Sequence, residues 1–246
     1  MRRVLLPAAL LICAAAATAH AYELLRVNNN PCARGDQNLF WRDATVQVAT
    51  NLLPEPQRGL ADTARQRWNL SLHRFHFGVG SGSACTRDGV ATLALADVPC
   101  GLADFGDALA ITRSIWKDNG ELVDADVTFN QNTFIVDDDS AFLEVAMHEL
   151  GHVLGLDHSD ACGGNGAGTL MEAHLTPPRL EAPQADDVSG AEAIYPSGGG
   201  GDGSVPAGIN TCAIDPTASA TAWPLLGAAL LLALRRGKNR REPGSQ

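Results

Sequence analysis

The sequence predicts an α+β domain over residues 22–196. Short segments of alternating polarity read as strands, and segments with 3.6-residue periodicity read as helices. A length of 246 residues fits one main domain plus targeting segments at its ends.

The elements follow in chain order. Thr45–Thr50 (TVQVAT) alternates in polarity, as a half-buried strand does. Leu60–Leu70 places Leu60, Ala64, Arg67 and Trp68 at helical spacing, with Trp68 expected to pack under a sheet. Residues 73–79 (HRFHFGV) are a second strand candidate, in which His73 and His76 would face opposite sides and make poor joint ligands. Ala108–Thr112 (ALAIT) and Val123–Asn130 (VDADVTFN) are two further strands. From Ala141 to Leu154 the pattern is helical, with Phe142, Val145, Ala146 and Leu150 as apolar contacts and His148 and His152 facing a cleft. Asp186–Tyr195 reads as a short closing helix capped by Asp186. Asp124, Asp126, Asp137, Asp138 and Asp139 form an acidic cluster dense enough to bind calcium (Ca2+). The favoured reading of that cluster is a solvated loop, with Asp139 or Ser140 capping the helix that follows.

The ends read differently from the middle. Arg2 and Arg3, the apolar run Val4–Ala17 and the Ala19-His20-Ala21 cleavage site make residues 1–21 a signal peptide, with Tyr22 as the first mature residue. Residues 197–210 are a glycine-rich linker. In residues 211–246, Cys212 precedes an apolar stretch from Ala218 to Leu234, and Arg235, Arg236, Lys238, Arg240 and Arg241 follow it. That order resembles bacterial C-terminal sorting tails; a simple membrane anchor is the alternative. The expected location is extracellular, cell-surface or periplasmic, with membrane contact through the tail before any processing.

Residues 148–159 (HELGHVLGLDHS) carry the chemistry. His148 and His152 are four apart, so both imidazoles leave one face of a helix. Glu149 can reach a water on a metal without itself being a ligand. Gly155 can end the helix and turn the chain back, which would bring His158 to the same metal. Three protein ligands leave the fourth tetrahedral position of a zinc ion open, as catalytic sites do. Glu149 would then be the general base for hydrolysis of a peptide bond.

The pattern HExxHxxGxxH resembles the metzincin metalloproteases, and Ser159 after the third histidine resembles the matrixin branch, the family of the matrix metalloproteinases. The resemblance covers roughly residues 39–196. It implies a zincin-like catalytic domain: a twisted, mostly parallel mixed sheet with three helices, and a Met-turn below the zinc. Met171, in Gly168–Ala173 (GTLMEA), is the match to that turn, and Asp160–Gly168 is an apparent insertion before it. Ala108–Thr112 corresponds to the cleft-edge strand, whose free edge would hold an extended peptide. No second histidine set matches the structural zinc site of matrixins. A rival scheme takes Glu172, twenty residues after His152, as third ligand in the manner of thermolysin-like enzymes. His158→Ala should lose zinc under the first scheme and Glu172→Ala under the second.

Residues 22–196 carry 11 Lys and Arg against 25 Asp and Glu, which argues against a nucleic-acid partner. The expected partner is a protein or peptide substrate, and the expected state a monomer. Cys32, Cys85, Cys100 and Cys162 suit an oxidising compartment and allow three pairings, of which Cys85–Cys100 with Cys32–Cys162 is favoured because it closes a short loop. Many matrixins are held latent by a cysteine in a PRCGxPD segment, and Pro31–Gly35 (PCARG) is a faint echo of it; a disulfide is the favoured role for Cys32. The competing function from another class is an inactive zinc-holding surface binding protein, which would have no need of Glu149.

Overall fold

The computed structural model describes residues 22–196 apart from Arg34, Gly164 and Asn165. The leader, linker and tail read from the sequence lie outside the described residues. Contacts divide the chain into Met1–Val205 and Pro206–Gln246, and every described residue belongs to the first unit.

Strands β1 (Glu23–Leu24), β2 (Phe40–Trp41) and β3 (Thr45–Ala49) lead into helix α1 (Gln57–Ser71). Strands β4 (His76–Val79), β5 (Val90–Ala96), β6 (Ala110–Trp116) and β7 (Glu121–Asn130) follow. A 3-10 turn at Phe134–Asp137 precedes the long helix α2 (Asp139–Leu154), then β8 (Leu156–Asp157) and helix α3 (Ala185–Ile194).

The main sheet runs β4-β3-β5-β7, all parallel, and β2 joins the start of β7 in parallel. Strand β6 is antiparallel to β7, with Thr112 opposite Val127. This is the mostly parallel mixed sheet with three helices that the matrixin resemblance implies. Helices α1 and α2 pack against each other beside the sheet, and Phe129 of β7 meets Phe142 of α2 at a ring-centroid distance of 4.7 Å. Burying each such ring stabilises the fold by about 1.5–3 kcal/mol.

Several local expectations need correction. The buried face of α1 is Gln57, Ala61, Ala64 and Trp68, while Leu60 and Arg67 sit at its margin. The small alanines let α1 approach α2 closely, and the Trp68 indole N–H donates to the Met147 carbonyl at 2.8 Å. Trp68 therefore packs against α2, at Met147 and Gly151. Strand β4 starts at His76 rather than His73, and both histidines are exposed. Strand β5 has no counterpart among the expected strands. It is a central parallel strand covered on both faces, so it reads as an apolar run (VATLALA) without alternation. Strand β6 extends four residues beyond Thr112.

The acidic cluster is not one solvated loop. Asp124 and Asp126 are fully buried within β7. Their Oδ1 atoms accept the backbone N–H groups of Gly89 and Thr92, each at 3.0 Å. The cap of α2 is Asp138, which accepts from the Ala141 N–H at 3.0 Å and from the Ser140 hydroxyl. The cap of α3 is Gln184, not Asp186. Both helices start earlier in the chain than the expected caps would place them.

Candidate metal centre

Helix α2 presents His148 and His152 one turn apart, with ring centroids 4.7 Å from each other. The helix stops at Gly155, whose φ of 108° is open to glycine at little cost. A Cβ there would also meet the Leu39 carbonyl oxygen at 2.7 Å. The reversal runs through β8, which pairs with β1, and delivers His158 with its ring centroid 4.8 Å from that of His152 and 5.2 Å from that of His148.

Two of the three rings are oriented from behind by backbone carbonyls. His148 Nδ1 lies 2.8 Å from Leu170 O, and His152 Nδ1 lies 2.9 Å from Leu156 O. Each Nδ1 therefore carries the proton and leaves Nε2 as a bare lone pair. The Nε2 atoms of His152 and His158 are 3.2 Å apart. Two ring nitrogens on one tetrahedral zinc, each at about 2.0–2.1 Å, are separated by about 3.3 Å. One donor atom from each of the three histidines falls within 4.8 Å of the others. Burial, with repulsion between the rings, lowers His148 and His152 to about 4, so both are neutral near pH 7, as metal ligation requires. The donor set fits a zinc ion.

Among the described residues these three form the metal-capable group, and Glu172 stands outside it. Glu172 lines the neighbouring cleft and accepts from Thr176 at 3.4 Å.

Behind the triad, Met171 is buried and its sulfur lies over Gly151, where no Cβ would fit. The turn carrying Met171 is held by Asp187, the third residue of α3. Its carboxylate accepts from the N–H groups of Leu170 at 2.9 Å, Met171 at 3.1 Å and Gln184 at 2.7 Å. Ser159 N–H closes the loop by donating to Met171 O at 2.9 Å. Burial raises the Asp187 carboxyl above its usual range, and those three donors pull it back. Sequence reading missed Asp187; an acidic residue at the third position of a helix was the available signal.

Glu149 is buried, and its Oε2 accepts from the Thr112 hydroxyl of β6 at 2.6 Å. A cleft of about 960 Å³ opens beside it, between the start of β6, helix α2 and residues 167–180. Leu109, Val145, Leu175 and Leu180 form apolar walls. Glu144, one turn before His148, also lines it, with Arg179 3.9 Å away and the carboxyl raised by burial.

A family model for the matrixins matches residues 19–196. The chain belongs to the matrixin family. No curated protein matches the chain. Family and triad together support a zinc metallopeptidase acting on proteins or peptides. In this matrixin the disulfides are Cys32–Cys162 and Cys85–Cys100, the pairing favoured from the sequence. Cys32 is thereby committed and has no thiol to offer the metal. Among the described residues the acidic cluster forms no comparable metal-capable group, so calcium finds no support there. No helix among the described residues is long and apolar enough to cross a membrane.

Proposed function

We propose that this matrixin is a zinc-dependent endopeptidase in which His148, His152 and His158 hold the metal and Glu149 is the general base. The observation that carries the reading is the convergence of three imidazoles beside a buried carboxylate, at the head of a cleft bordered by a strand edge. When bound, zinc supplies polarisation of a peptide carbonyl and brings a water to a pKa of about 7.

The chain's own residues do the rest. Leu170 O and Leu156 O hold His148 and His152 with their Nε2 lone pairs inward. Glu149 accepts a proton from the attacking water and returns it to the amine nitrogen as the C–N bond breaks. Strand β6 pairs only with β7 among the described residues, so its outer edge can hold an extended peptide through backbone hydrogen bonds. The adjoining apolar cleft takes one substrate side chain. Export fits this role: the N-terminal segment reads as a leader, and the domain is stapled by two disulfides.

Casein hydrolysis by the full chain, with zinc content measured in parallel, tests the assignment. Glu149→Gln should lose on the order of 10²–10⁴ in rate and keep equimolar zinc. His158→Ala should lose zinc, and Glu172→Ala should keep it. Wild-type rates in Glu149→Gln would remove the base. Zinc loss in Glu172→Ala but not in His158→Ala would move the third ligand.

A further inference from the structure

We propose that Thr112 is a positioning residue for Glu149, tying the general base to the strand on which the substrate lies. The proposal rests on the endopeptidase reading above. Thr112 sits in the middle of β6, opposite Val127 of β7. Successive side chains of a strand alternate between its faces, so Ala110, Thr112 and Ser114 share one face, and that face meets α2. The Thr112 hydroxyl lies 2.6 Å from Glu149 Oε2 and 3.3 Å from the Glu149 carbonyl oxygen. A hydroxyl has one proton, and the shorter contact to the charged acceptor takes it.

This contact has a mechanical consequence. A glutamate carboxylate hangs on three rotatable bonds, and an unheld one samples several rotamers. A donor on Oε2 fixes the plane of the group and leaves Oε1 for the water proton. Displacing a catalytic group by about 1 Å costs on the order of 10²-fold in rate. The donor belongs to the strand whose edge would receive the peptide, not to α2. Substrate pairing along β6 therefore sets the base and the scissile bond against one common frame. The metal ligands take no part in this hydrogen bond, so losing it should leave the zinc in place.

The test uses the full chain with Thr112→Val, which keeps the shape and removes the donor, and with Thr112→Ser, which keeps the donor. Zinc content and steady-state kinetics on one fluorogenic peptide are read for each. Thr112→Val should keep equimolar zinc, lower kcat by roughly 10- to 100-fold and leave KM within about threefold. Thr112→Ser should recover most of that loss. Thr112→Ala, run alongside, supplies the donor-free variant if valine disturbs the packing of β6 on α2. A zinc-loaded Val or Ala variant with wild-type kcat would overturn the proposal, and so would a serine variant as slow as valine. A loss confined to KM would assign Thr112 to substrate binding instead and overturn it equally. A zinc-loaded wild type with no hydrolysis at all would instead defeat the endopeptidase reading on which it stands.

Discussion

Asp126 shows how much a single buried carboxyl can depend on its fold. Burial inside β7 raises it to about 6, helped by the neighbouring charges of Asp124 and Asp88, while the N–H groups of Thr92 and Cys85 oppose the shift. Its Oδ2 has no hydrogen-bond partner. A carboxyl that titrates near 6 when folded and near 3.8 when unfolded binds more proton in the folded state between those values. Its contribution to stability is then full below the unfolded value and is lost as pH rises through 6. Asp126→Asn keeps an acceptor for Thr92 and never has to bury a charge. Its melting temperature should therefore improve relative to wild type by a few degrees between about pH 4.5 and about pH 7.5. A difference between the two proteins that stays constant with pH would show that Asp126 has no such shift. The sequence places this residue in a strand and Asp137 and Asp139 outside it, but it does not show that the strand buries the carboxyl, because burial belongs to the assembled sheet.

At the scale of the element, α2 was the most legible part of the chain. Its apolar spacing, the two histidines on one face and the glycine at its end are local properties, and the helix ends where they predict while starting two residues earlier, at Asp139. Its surroundings were not legible. Three aromatic donors from distant segments tether its carbonyls: Trp68 to Met147, Trp41 to Val153 and Tyr195 to Leu154, at 2.8, 2.8 and 2.9 Å. Gly151, one residue before His152, is a glycine because Met171 and Trp68 crowd its Cα. Gly151→Ala adds a methyl that overlaps Met171 Sδ, and overpacking of this kind costs about 1–3 kcal/mol. The variant should melt several degrees lower and bind zinc more weakly, since Met171 and the adjoining Leu170 carbonyl support the ligands. Unchanged melting and zinc affinity would mean that the methionine gives way freely.

The whole molecule depends on links between segments far apart in sequence. Cys32–Cys162 spans 130 residues and joins the chain ahead of β2 to the segment between His158 and Met171. Cys85–Cys100 spans 15 residues and flanks β5. Loop-closure entropy makes the first worth about 5 kcal/mol and the second about 3 kcal/mol. Replacing Cys32 and Cys162 with serine should lower the melting temperature more than replacing Cys85 and Cys100. The opposite order, measured by calorimetry, would place the stabilisation in local geometry rather than chain entropy.

The sequence by itself determined the spacing of His148, His152 and His158, the place of Glu149 beside them, the helix that carries them, the family and the favoured cysteine pairing. These rest on spacings of a few residues or on short loops, where covalent geometry and helical pitch leave few arrangements. Only the tertiary structure decided that β5 is a central strand, that Asp124 and Asp126 are interior, that Asp138 and Gln184 start their helices, and that Asp187 and Thr112 reach the Met171 backbone and the Glu149 carboxylate. Most of these depend on a partner far along the chain. No local pattern encodes such a partner, because packing selects it only after the elements have formed.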